Sequence, residues 1–224
     1  MLDTQSAPSI LRRAGVVLLA LCAFELAWMA WRITTGADYS YSMIIPALVG
    51  GIYLLRGSLR AAFFLVWIAS VLLPMALAMI VLTLLQPFDL TLTQWQLDPG
   101  AQLAVLLPLL LFCAVLHWLR TELLRQPIRT AILSGGRREP SAHLALGVGI
   151  VLALLALGGH QLGRDADLVR KAEFLAKAKH GEEYHYYASK ITARDDMEGT
   201  FVEAKVQAWR ADRIDTVDVF WKEK

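Results

Sequence analysis

Five runs of apolar residues follow one another in the amino-terminal part of the chain: Ala14 to Ile33, Ala37 to Leu55, Ala61 to Leu85, Ala101 to Trp118, and Ala142 to Leu162. Crossing about 30 Å of hydrocarbon takes roughly 20 helical residues, so each run predicts a transmembrane helix. After Gly163 the pattern changes. Leu168, Ala172, Leu175 and Ala176 return at helical spacing between Arg164 and Lys179, and Gly181 follows as a stop. Three stretches then alternate with period two: Tyr184 to Arg194, Thr200 to Arg210, and Ile214 to Trp221. In the middle stretch Val202, Ala204, Val206 and Ala208 share one face, with Glu203, Lys205 and Gln207 on the other. Asp195 to Gly199 and Ala211 to Arg213 read as turns. The predicted fold is an all-α polytopic membrane domain of five transmembrane helices (residues 1–163), followed by a small α+β domain (residues 164–224) of one helix and a three-stranded antiparallel meander.

A hydrophobic content of 56% over 224 residues agrees with the membrane class. The first run resembles a signal peptide only loosely. Leu19-Ala20-Leu21-Cys22 imitates a lipoprotein cleavage box, but Leu21 is too large and the run continues through Ile33, so an uncleaved helix is expected. Cys22 and Cys113 both fall inside expected spans, where thiols pack as small apolar groups, and no disulfide is expected. The chain has no Asn and therefore no N-glycosylation sequon. With its Arg, Ala and Leu richness, this points to a bacterial inner-membrane protein.

Charge orients the helices. Residues 1–163 hold ten Arg and no Lys, while all seven Lys lie from Lys171 onward. With the amino terminus in the cytoplasm, nine of the ten arginines (Arg12, Arg13, Arg56, Arg60, Arg120, Arg125, Arg129, Arg137 and Arg138) fall on the cytoplasmic side, and only Arg32 falls outside. Five crossings then make the tail extracytoplasmic. The outer loop from Gln86 to Gly100 carries Asp89 and Asp98 without a basic residue, and Tyr39, Tyr41 and Trp95 sit where interfacial aromatics belong. Trp118 to Leu133 alternates leucines and isoleucines with arginines, with a kink at Pro127, and is expected either along the inner leaflet, where arginines meet anionic head groups, or as a solvated loop whose charges fix topology.

Glu25 is the only acidic residue deep inside an expected span, where an ionisable group costs about 2.5 to 3.5 kcal/mol on the insertion scale. At about 100° per residue, Leu18, Cys22, Glu25, Met29 and Arg32 share one face of the first helix. Ala20, Ala23, Ala27 and Ala30 lie opposite and suit close helix packing. Glu25 has two candidate partners. Arg32 can lean back toward it, and Pro74 releases the carbonyl of Ser70 at similar depth in the third helix. A proton-linked or ligand-binding role is the third possibility. Pro46, Pro74 and Pro108 place one proline in each of helices two to four, while Ala145, Gly149 and Ala153 offer a packing stripe in the fifth. Cys113 and His117 share a face but lack the third group that nucleophilic or metal chemistry needs.

In the tail, His180-Gly181-Glu182-Glu183-Tyr184-His185 holds four potential metal ligands, but the glycine interrupts the helix a zinc motif requires. Neither this cluster nor Asp195 to Gly199 has metal-loop spacing, and no metal or cofactor is expected. Twelve basic and thirteen acidic residues leave the tail nearly neutral, which argues against nucleic acid as a partner. Tyr184, Tyr186, Tyr187, Phe201, Trp209, Phe220 and Trp221 exceed what one sheet face hides, so Tyr186, Tyr187, Trp209 and Trp221 are candidates for contact with a partner. The reading that follows is a non-enzymatic accessory or anchoring protein that presents an interaction module to an envelope protein, or to a second copy, from the lipid bilayer. The alternatives are a small-molecule sensor or proton-coupled permease working through Glu25, and a membrane enzyme using His180 to His185.

Overall fold

A computed structural model of the chain describes residues 6–34, 44–134, 141–162, 165–196 and 199–223. Tyr39 and Tyr41 with the start of the second expected span, Arg137, Arg138, the Gly163–Arg164 boundary and the centre of the 195–199 turn lie outside the described residues. Among the described residues the elements are α1 (Ala7–Thr34), α2 (Ile44–Leu55), α3 (Leu59–Leu84), α4 (Phe88–Leu97), α5 (Pro99–Leu123), α6 (Gln126–Ser134), α7 (Ala142–Leu162), α8 (Ala166–His180), β1 (His185–Asp196), β2 (Gly199–Arg210) and β3 (Arg213–Glu223). Four helices, α1, α3, α5 and α7, are long and apolar enough to cross a membrane. The second expected span is represented by α2, whose 12 residues fall short of that length. The chain divides into two compact units, Met1–Ala76 with Leu111–Val151, and Leu77–Leu110 with Leu152–Lys224.

In the first unit α1 and α2 run antiparallel with their backbones touching. Cys22 Sγ donates to the Ile44 carbonyl at 3.7 Å. Seven residues further along each helix, a Cβ added at Gly15 would lie 2.8 Å from the Gly51 carbonyl oxygen. Glycine permits this approach because only hydrogen stands between the two chains. Gly15 lies on the side of α1 that carries Leu18 and Cys22, and the expected alanine face is overturned: Ala20, Ala23, Ala27 and Ala30 are all exposed. The next glycine, Gly50, accepts the side chain of Leu65 from α3. The two glycines of α2 thus serve packing. In α7, Gly149 lies against the backbone of Val71 and Ala145 is fully buried, as the small-residue stripe predicts.

The segment expected along the inner leaflet is built differently. α5 continues past Trp118 to Leu123, and α6 begins at Gln126 with Pro127 in its first turn, where the missing N–H has no helical acceptor to lose. Leu119, Leu123, Ile128 and Ile132 are at most 2% exposed and share one core with Ile10 and Leu11 of α1. Their apolar side is therefore covered by protein.

The second unit contains the tail and α4. The connection expected as a loop is the helix α4, with Asp89 in its first turn, where a carboxylate suits the helix dipole. Asp98 ends α4, and its carboxylate accepts from the N–H of Ala101 at 2.8 Å, capping α5. The sheet has the order β1-β2-β3 with both pairs antiparallel, the predicted meander. α8 covers one face. Ala172 and Ala176 meet Ala188, Ala204, Val206, Ala208, Val217 and Val219, and the small side chains let helix and sheet approach closely. Asp165 caps the helix by accepting from the N–H of Asp167, and Gly181 (φ +108°) takes the left-handed conformation that stops it. A bulge falls between Ala188 and Lys190 of the edge strand β1, where Glu173 of α8 accepts the Ala188 N–H at 3.3 Å. On the opposite face α4 lies against β2 and β3, with Gln94 donating to Gln207 at 3.4 Å.

Candidate functional site

The intramembrane candidates separate in the structure. Glu25 and Arg32 are half-buried on α1. Pro74 lies within α3. Ser70 is fully buried, and its hydroxyl accepts from Arg120 Nε of α5 at 3.2 Å. A guanidinium thus reaches a polar group in the helical core, a pairing the sequence did not announce. A cavity of about 40 Å³ opens between α1, α2, α3 and α5, lined entirely by apolar side chains such as Leu18, Pro46, Leu65, Phe112 and Leu119. Glu25 is not part of that lining. Cys113 is buried while His117 is exposed, so the two do not meet in a common pocket.

The acidic group that sequence reading missed is Glu122. It follows Cys113, Leu116 and Leu119 at three-residue intervals on the buried side of α5 and is 2% exposed. That spacing was the available signal, hidden because the fourth span was expected to end at Trp118. Arg125 Nε lies 3.0 Å from Glu122 Oε2, and Arg13 Nη1 of α1 lies 3.9 Å from Oε1. Oε1 is buried with no hydrogen-bond donor in reach among the described residues. The Arg13 guanidinium sits over the Trp118 ring, 5.7 Å from its centre. One buried carboxylate therefore links two partly exposed guanidiniums from separate helices.

In the tail, the four potential ligands of the His180 to His185 segment disperse. His180 Nε2 pairs with Asp215 at 3.1 Å, Glu182 with Lys177 at 3.3 Å and Glu183 with Arg210 at 3.9 Å. His185 packs on Trp209, its cross-strand neighbour, with ring centres 5.5 Å apart. Among the described residues no three His, Cys, Asp or Glu side chains come together as metal ligands. Asp215 is held below the usual carboxylate range, first by the hydrogen bond from His180 and then by Arg213. These bonds tie the end of α8 to the start of β3.

The aromatics sort by face. Tyr186 donates its hydroxyl to the Gly181 carbonyl and is half-buried, as are Tyr187 and Trp221. Lys171 lies over the Trp221 ring at 5.6 Å. Trp209 is only 6% exposed, which corrects its expected role as a surface contact: the indole is taken up within the chain. Exposure passes to phenylalanines. Phe220 is 67% and Phe201 44% exposed, and the register makes them diagonal neighbours on the face opposite α8.

The described helices are those of a multi-pass membrane protein that ends in a three-stranded antiparallel sheet. Comparison with known proteins found no matching family model, no matching curated protein and no matching solved structure.

Proposed function

We propose that this chain is a non-enzymatic protein of a bacterial inner membrane that crosses five times and holds the α8–sheet module outside the cytoplasm, where it docks another envelope protein or a second copy of itself. The crossing count rests on chain direction. The start of α1 shares a core with α6 and with the end of α5, so these lie at one end of the helices. α2 runs back along α1 toward that same end before α3 begins. α4 connects α3 to α5 and touches β2 and β3, and in this reading five crossings from a cytoplasmic amino terminus bring the tail to the outer side. The arginine bias assigns the first end to the cytoplasm.

The observation that carries the docking role is the exposed pair Phe201 and Phe220. Two neighbouring phenylalanines in water leave apolar area that a partner would bury, at roughly 25 cal/mol per Å². The test uses the full-length chain in mild detergent, sized by light scattering. A stoichiometric complex or dimer that Phe201→Ser with Phe220→Ser dissociates supports the proposal; a monomer that behaves identically in both forms sinks it. A phosphatase reporter fused after Lys224 checks the sidedness and is expected to be active.

A further inference from the structure

We infer that Arg13 and Arg125, joined through buried Glu122 at the arginine-bearing end of the helices, form a binding site for a phosphate anion of the kind an anionic phospholipid presents. Glu122 is 2% exposed, whereas the side chains of Arg13 and Arg125 are 58% and 41% exposed. The carboxylate lies beneath and the two guanidiniums open outward. Two positive charges against one negative leave a net positive site, with no second acid among the described residues of this end.

Geometry distinguishes the site from a general scatter of arginines. The 3.0 Å contact holds Arg125 at the corner between α5 and α6. Arg13 Nη1 lies 3.9 Å from Glu122 Oε1, too long for a hydrogen bond, so the carboxylate attracts the guanidinium without engaging that N–H, and the side chain is 58% exposed. The Trp118 ring beneath it restricts the guanidinium plane. A planar, oriented and exposed guanidinium suits a phosphate oxygen pair. Tryptophan beside arginine is also the pairing found at head-group depth, where such a phosphate lies.

The test is native mass spectrometry of the full-length chain in mild detergent. The probes are dioctanoyl phosphatidylglycerol, dioctanoyl phosphatidylcholine and inorganic phosphate. We expect phosphatidylglycerol to be retained over phosphatidylcholine and the retention to fall about fivefold in Arg13→Gln, the loss of one basic group near a charged surface. Arg56→Gln, an exposed arginine outside the cluster, should change it by less than about twofold on the same scale. Glu122→Gln with Arg125→Gln removes both charges of the Glu122–Arg125 pair together. It leaves no lone buried charge to unfold the protein and should also weaken retention. Equal retention by wild type, Arg13→Gln and Arg56→Gln would overturn the inference, as would indifference between the two lipids with no phosphate binding. Binding of inorganic phosphate that depends on Arg13 would uphold the anion site and assign it to a dissolved ligand. This outcome is independent of what the extracytoplasmic module docks.

Discussion

Helix α7 and strand β2 bury opposite kinds of residue. In α7 the large side chains face outward, with Leu144, Leu154 and Leu155 more than 60% exposed, while Ala145 and Ala153 are at most 6% exposed. In β2 the apolar positions Val202, Ala204, Val206 and Ala208 are at most 1% exposed and Glu203 and Lys205 face out. The strand borders water, which rewards a contrast between its faces. The helix has the composition to border lipid, where a leucine gains nothing by turning inward and closeness of approach decides which side is buried. Size patterning in the helix therefore replaces polarity patterning in the strand.

The comparison breaks most readily in the sheet. Val206→Asp would put an unpaired charge at a 0% exposed position and should unfold the tail, a loss above about 4 kcal/mol, seen as collapse of its strand signal and rapid proteolysis. An equally polar change at exposed Lys205, such as Lys205→Asp, should leave the fold intact. At the arginine end, Arg125→Ala strands Glu122 in a buried position and should cost about 2 to 3 kcal/mol. Glu122→Ala leaves only solvated guanidiniums and should cost less. Thermal unfolding in detergent that ranked these two in reverse would mean that Glu122 is not enclosed as described.

Gly149→Ala sharpens the helical side of the comparison. Its added methyl would meet the Val71 carbonyl oxygen at 2.5 Å, and backbone must shift at a cost of about 1 to 3 kcal/mol. Leu154→Ala removes three carbons from an exposed position of the same helix and should change stability by less than about 0.5 kcal/mol. In a water-soluble core the ranking would be inverted. The smallest effect belongs to pH. Asp215 has a folded pKa lowered by His180 and Arg213, so its contribution is complete above the ordinary aspartate value of about 3.9 and is lost as pH falls through the lower folded value. Asp215→Asn should lower the tail's stability slightly at neutral pH and flatten the acid limb below about pH 4, so that variant and wild type converge in acid. An unaltered acid limb would remove the His180–Asp215 link as a stabilising contact.

The tail was legible almost to the residue. The strands expected over 184–194, 200–210 and 214–221 are His185–Asp196, Gly199–Arg210 and Arg213–Glu223, and the helix expected from Arg164 runs from Ala166 to His180. Polar and apolar positions there answer to the same solvent, so period and location coincide. The helical part was less legible. The alanines of α1 suggested a packing face, but closest approach went to Gly15, where α2 supplies Gly51. The 86–100 connection looked like a loop because it separates two apolar runs and carries two aspartates. Those residues instead start and end α4, whose contact with the sheet no local pattern reports. Glu122 escaped notice because hydropathy falls where the arginines begin, although the α5 backbone continues.

Sequence alone determined the membrane class, the arginine asymmetry between the two ends, and the helix-plus-meander tail, because each arises from a local preference for water or hydrocarbon. Tertiary structure alone decided which helix sides meet, that Arg120 reaches Ser70, that Glu122 lies between Arg13 and Arg125, and that Trp209 is buried while Phe201 and Phe220 remain open. These depend on the identity of the opposing surface, and residues far apart in the chain supply it.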